Sequence, residues 1–220
     1  MNVPLMSREL RAMLSHLRDD DLRALEDRAG VPRELLQLKA VALSGDGEPT
    51  LCPKFFEVVQ EIDRIRRSRA FPWFKMILVT NSTGLNRPAV RSGLSLFTES
   101  DEIWAKLDGG TQSAMRFMNQ SDASFRRVLC NIRQLAQWRP VIIQSMFCEI
   151  DGRGPTDEQI DQYISQLKAL KRVGARISLI QIYSTSRPPA DPRCKHLPLS
   201  RLSQIAKMAR ERTGLRVEVY

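Results

Sequence analysis

The chain has 220 residues, 42% of them hydrophobic and 27% charged, with a mean hydropathy of −0.30. That is enough for one sizeable α/β core and argues against disorder, fibres and bilayer-spanning designs. Lys and Arg number 34 against 25 Asp and Glu, so the formal charge is +9, which favours anionic partners without naming one. No apolar run approaches the roughly 18–20 residues of a membrane helix, and the start, MNVPLMSRELRAML, turns polar too early for a signal peptide. A cytoplasmic location with no membrane partner is the default expectation. Cys52, Cys130, Cys148 and Cys194 are dispersed, with no CxxC pair to grip a metal from one loop, so a metal site is not expected and they read as small buried hydrophobes.

In chain order, Ser7 to Leu38 reads as helical: Leu10, Met13, Leu14 and Leu17 recur at three- and four-residue spacing, Ser7 is placed to cap the start, and Gly30 and Pro32 break the pattern. The apolar run Ala40-Val41-Ala42-Leu43 predicts a strand that ends in SGDGEPT, followed by a helix through Phe55, Val58, Val59, Ile62 and Ile65. The cycle repeats. Met76 to Val79 ends at Thr80-Asn81 before a short helix, and Glu102 to Leu107 ends at Asp108-Gly109-Gly110 before a longer one. Strands are predicted at Val141 to Phe147 and Ile177 to Tyr183, with Ile164, Leu167 and Leu170 on the buried face of the helix between them. A helix through Leu202, Ile205 and Met208 leads to a last strand, Leu215 to Tyr220.

Strands alternating with helices imply right-handed βαβ units, a parallel sheet and a single domain over residues 1–220, as an open sheet or a closed or partial barrel. SGDGEP, TN, LDGG, CEIDGRG and STSRPP all follow apolar runs, so one rim collects the unusual residues, where ligands bind in such folds. Gly45 and Gly47 allow a sharp turn or a close backbone approach to a ligand. Glu48 adds a carboxylate suited to an ammonium group. A plain strand-to-helix turn, with Glu48 favoured by the helix dipole, explains the same three residues. No Gly-Lys-Ser/Thr follows, so this is not a Walker phosphate loop.

VALSGDGEPTL resembles the glycine-glycine-glutamate segment of radical S-adenosylmethionine (SAM) enzymes. LVTNSTGL is similar to that family's third strand with its Thr-Asn-Gly ending, KLDGGTQSAMRFMN to its fourth, and STSRPPAD to its sixth. The four matches run in order from about Val41 to Asp191 and cover most of the chain.

The resemblance implies a partial (β/α) barrel holding SAM and a [4Fe–4S] cluster, with oxidoreductase chemistry started by a 5′-deoxyadenosyl radical. On that analogy Gly45, Gly47 and Glu48 hold the methionine amino group and Asn81 and Asp108 contact SAM's polar parts. Gln144 and Tyr183 border its ribose or adenine. The family's CxxxCxxC loop and the strand before it are absent, so the fold is expected to lack its first strand. A truncated gene model, a degenerate member and a cluster assembled otherwise compete to explain this; the first is favoured. Cys52, Cys148 and Cys194 follow or end strands and could face the rim, while Cys130 packs; nothing in their spacing favours a metal geometry.

Arg187, in STSRPP, is a candidate for holding a substrate carboxylate or phosphate, with a solvated prolyl turn as the plain alternative. His16 and His196 have no sequence partner for a triad or a metal and read as surface residues. Arg64, Arg66, Arg67 and Arg69 read as a solvated helix end, and the helix around Arg201, Lys207, Arg210 and Arg212 is similar. Nucleic acid is the alternative partner, with only Phe71, Trp73 and Phe74 near the first run for stacking. Two functions remain: a radical SAM oxidoreductase of unknown substrate represented by an incomplete chain, and a cluster-free binding protein that keeps a SAM pocket or a basic surface for an anionic partner.

Overall fold

The computed structural model describes residues 1–18, 31–45, 47–185 and 191–220. It divides into two compact units, one of residues 1–78 and 86–102, the other of residues 79–85 and 103–220. Eight strands and seven α-helices are described, and six of the strands belong to a parallel sheet. The α/β class and the parallel strands are those the sequence predicted.

In the first unit α1 spans Val3–Arg18. Its start is capped by Asn2, whose Oδ1 accepts from the Leu5 N–H at 3.1 Å, so Ser7 is not the cap. Ser7 sits a turn further in, buried, and its hydroxyl donates to the Glu61 carboxylate. The helix expected to reach Leu38 is described only to Arg18; a 3-10 turn at Arg33–Leu36 follows, and Gly30 lies outside the described residues. Strand β1 (Ala40–Leu43) is followed by α2 (Phe55–Arg67) and by β2 (Lys75–Thr80). β1 pairs with β2 in parallel, Ala40 opposite Lys75 and Leu43 opposite Leu78. Helix α3 (Pro88–Leu94) lies close to α2: a Cβ at Gly93 would stand 2.8 Å from the Phe55 ring. Phe55, Val59, Ile62, Ile65, Phe74, Met76 and Leu94 fill the core.

A charged triad is buried in the same unit. Arg66, its side chain 5% exposed, donates to Asp101 at 2.7 Å and to Asp63 at 2.8 Å. Asp101, side chain 0% exposed, also accepts the Met76 and Thr98 N–H groups at 2.6 and 2.7 Å. Arg66 is therefore part of the fold, not of the solvated run the sequence suggested.

β3 (Glu102–Lys106) leads into the second unit. The single long helix expected after it is two: α4 (Gln112–Asn119), ended by Gln120 in the left-handed conformation (φ 47°), and α5 (Phe125–Trp138), capped by Ser124. Next come β4 (Val141–Met146), β5 (Cys148–Ile150) and α6 (Asp157–Arg172), the last opened by a Thr156/Gln159 capping box. β6 (Ile177–Tyr183), β7 (Cys194–His196), α7 (Leu199–Thr213) and β8 (Val217–Val219) complete it. β4 pairs in parallel with β3 and β6, and β6 with β8. β5 and β7 form a separate antiparallel ribbon. His196 thus lies on a strand. It is exposed, as is His16, in line with the surface reading of both.

Candidate functional site

In the first unit the segment after β1 opens onto a cavity of about 570 Å³. Ser44, Gly45, Gly47 and Glu48 line it beside apolar side chains such as Leu43 and Phe55. Gly45 has φ +150°, a conformation that side-chain-bearing residues rarely adopt. A Cβ at Gly45 or Gly47 would meet nothing within 4 Å, so no packing contact demands a glycine at either place. Glu48 begins the 3-10 turn Pro49–Leu51, and its Oε1 accepts the Thr50 N–H at 3.1 Å and the Thr50 hydroxyl at 2.5 Å. Glu48 thus caps the turn and is one of the residues that line the cavity. The volume falls within the range of small-molecule sites.

In the second unit Asp108 is the central group. It is 2% exposed; Oδ1 accepts the Met146 N–H at 2.8 Å, while buried Oδ2 has no hydrogen-bond partner among the described residues. Burial pushes this carboxyl above its ordinary value of 3.8, with Lys106, the Met146 N–H and Asn119 pulling the other way. Asp108 borders a cavity of about 250 Å³ together with Asn81, Thr83, Lys106, Asn119 and Ser121. The backbone around it is held from below. Ser145 donates to the Leu107 carbonyl at 2.8 Å and meets the Tyr163 hydroxyl at 2.7 Å; the Tyr163 ring stands edge-on to Phe147, centroids 5.3 Å apart. Gly110 lies against the backbone of α6, where a Cβ would be 2.2 Å from the Tyr163 nitrogen. The second glycine of LDGG is therefore a packing residue.

Asn81 lines the same cavity as Asp108. Its Oδ1 accepts from the Thr83 N–H at 3.0 Å and the Thr83 hydroxyl at 2.7 Å, closing an Asx turn. Asn131 of α5, which sequence reading missed, ties that loop down by donating to the Ser82 carbonyl at 2.8 Å. Gln144 lies inside β4, not at its end, and donates to the Gln181 side chain at 3.4 Å. Tyr183 ends β6; burial and the Asp108 charge push its phenol upward, so the two groups are electrostatic neighbours. Gly45, Gly47 and Glu48 belong to the first unit; Asn81, Asp108, Gln144 and Tyr183 belong to the second. Arg187 lies outside the described residues.

A [4Fe–4S] cluster requires thiolate ligands from several positions. Cys52 lines the first unit's cavity, Cys130 is on α5, and Cys148 and Cys194 are together on the β5–β7 ribbon. Among the described residues no three His, Cys, Asp or Glu side chains gather around a point that could hold a metal. These residues do not fit the cluster. In the first unit, Glu48 beside the open backbone of Gly45 and Gly47 suits an ammonium group such as that of SAM.

No family model matches the chain. A curated relative, the UPF0026 protein slr1464 of Synechocystis sp., is 31% identical over 116 residues, 50% of this chain and 40% of that protein. Among solved structures, a radical SAM methyltransferase from Sphaerobacter thermophilus superposes with a TM-score of 0.59 at 16% identity, covering 90% of this chain and 55% of its own. SuiB of Streptococcus suis, solved bound to S-adenosylmethionine, gives 0.60 at 13% identity over 92% of this chain and 43% of its own. The chain therefore spans less than two thirds of the length of each of these three proteins. None of the described helices is long and apolar enough to cross a membrane. The two structural likenesses establish the fold: an α/β architecture with a six-stranded parallel sheet, similar to those of the Sphaerobacter thermophilus methyltransferase and SuiB.

Proposed function

We propose that this chain is a SAM-binding module of a radical-SAM-type enzyme, with oxidoreduction of an unidentified substrate as the activity of the whole protein. The observation that carries this reading is the segment after β1, where Gly45 and Gly47 have free space at their Cβ positions and Glu48 is oriented by Thr50 on the wall of a roughly 570 Å³ cavity. In this reading Glu48 takes the methionine ammonium, and the open backbone beside it admits the rest of the amino acid. Asn81 and Asp108 accept hydrogen bonds from SAM's polar groups, and Gln144 and Tyr183 border its ribose or adenine. Arg187 is assigned to an anionic group of the substrate. Bound SAM would supply an activated sulfonium; no reaction step is assigned to a cluster whose ligands this chain does not bring together.

The test is calorimetric titration of SAM into the wild type and Glu48→Gln. Glutamine keeps an oxygen for the Thr50 N–H but removes the charge facing the ammonium. A hydrogen bond to a charged group contributes about 1.5–3 kcal/mol, so the dissociation constant should rise roughly 10- to 100-fold. Unchanged affinity would take Glu48 out of the site. The second reading, a cluster-free SAM-binding protein acting through this pocket or a basic surface, draws support from the scattered thiols. Genomic sequence upstream of the Met1 codon separates the two: an in-frame CxxxCxxC favours the enzyme, a stop codon without one the binding protein.

A further inference from the structure

We propose that Cys148 and Cys194 are a redox-reactive dithiol, a site of thiol–disulfide exchange with low-molecular-weight disulfides that closes a covalent link between β5 and β7. The two residues are 46 positions apart in the chain, yet the Cys194 thiol donates to the Cys148 sulfur at 2.9 Å. The strand register explains how they meet. Cys148 stands opposite His196 and Ile150 opposite Cys194. Alternate residues of a strand share a face, so Cys148, Ile150 and Cys194 all point to one side of the ribbon, with the two sulfurs on a diagonal.

The other two thiols lie elsewhere. Cys52 belongs to the first unit, and Cys130 on α5 is contacted by Arg133 and Gln134.

The pair is chemically asymmetric. Cys194 is half-buried, whereas Cys148 is 3% exposed. Burial, together with the hydrogen bond and charge of the neighbouring Cys194 sulfur, pushes the Cys148 thiol up to about 12. Cys194 is therefore the attacking group and Cys148 the resolving one. The Cys194 thiolate attacks one sulfur of the small disulfide, breaking its S–S bond, forming a mixed disulfide on Cys194 and releasing one thiolate. Cys148 then gives up its proton to that thiolate and attacks Cys194 Sγ, releasing the second small thiolate, which takes up the proton Cys194 lost on ionising. Two electrons pass from the protein dithiol to the small disulfide, which leaves as two thiols. The site is independent of the SAM reading, since neither cysteine has a role in it.

The probe is oxidised glutathione, added to the full chain, followed by alkylation and non-reducing peptide mass mapping. The expected result is a Cys148–Cys194 link two hydrogens lighter than the dithiol and reversed by dithiothreitol, with Cys52 and Cys130 still alkylated. Cys148→Ser should stop at one glutathione on Cys194, and Cys194→Ser should leave Cys148 unmodified. Free thiols at both positions after oxidation, a glutathione that persists on wild-type Cys194, or a link to Cys52 or Cys130 would overturn the proposal. The wild-type map decides the matter even if either variant misfolds.

Discussion

Asp108→Asn should make the protein more stable and a poorer SAM binder at the same time. In the wild type a carboxylate that is 2% exposed keeps one oxygen bonded to the Met146 N–H and leaves the other without a partner. Asparagine retains the first acceptor and removes the buried charge. A buried unsatisfied group costs about 1–3 kcal/mol, more when charged, while the new amide N–H₂ remains incompletely paired; a net gain of about 1 kcal/mol is a fair expectation. For a chain of this length that is an increase of about 2–4 °C in Tm. The pH dependence follows from the upward shift of the folded-state pKa. Below the ordinary value of 3.8 the carboxyl is protonated in both folded and unfolded chains, and the wild type carries no penalty. As pH rises above that value the unfolded chain releases its proton first, so wild-type stability falls until the folded pKa is passed and stays lowered beyond it. The gap between variant and wild type should therefore open with rising pH and close at the acid end. Thermal melts across pH, paired with SAM titrations, read both effects; binding should weaken about 10-fold or more through loss of the charged acceptor. A variant that melts lower than wild type at neutral pH and binds SAM equally well would make Asp108 a structural residue and remove it from the site.

Asp101→Asn should be costly, because Arg66 is 5% exposed and would lose one of the two carboxylates it faces, Asp63 remaining at 2.8 Å: about 1.5–3 kcal/mol by chemical denaturation. Removing Asp122, which is 94% exposed in its pair with Arg116, should shift the same curve by less than about 1 kcal/mol. Gly110→Ala would place a Cβ 2.2 Å from the Tyr163 nitrogen and 2.3 Å from the Gln162 carbonyl carbon, so a loss of about 3 kcal/mol is expected from forcing α6 outward. Gly47→Ala meets no atom within 4 Å, so it should leave the thermal midpoint near wild type; equal midpoints for the two alanine variants would contradict the close approach at Gly110.

What the sequence made legible were elements whose residues answer to one local demand. β1 at Ala40–Leu43 and β6 at Ile177–Tyr183 match their predicted strands to the residue: β6 buries Ile180, Gln181 and Ile182, while β1, at the end of the strand order, buries only Leu43. The break between α4 and α5 was missed because helical periodicity resumes across it; the signal was Ser124, a capping residue just before Phe125, after Gln120 had turned left-handed. Ser7 looked like a cap because serine at a helix start usually is one, but its partner is Glu61 on another helix, and Asn2 does the capping. The site divides along the same line. Gly45, Gly47 and Glu48 could be picked out because their spacing is itself the feature. LDGG falls on the rim with the other unusual segments, yet its Gly110 is set by the backbone of α6, more than fifty residues away. The unpartnered oxygen of Asp108 and the meeting of Cys148 with Cys194 are likewise products of long-range pairing: β4 delivers the Met146 N–H to one oxygen only, and β7 returns Cys194 to β5. Residue type and spacing nominate chemical groups, but whether a group is free to act depends on which of its bonds the rest of the fold has already satisfied, and for Asp108 one oxygen is left over.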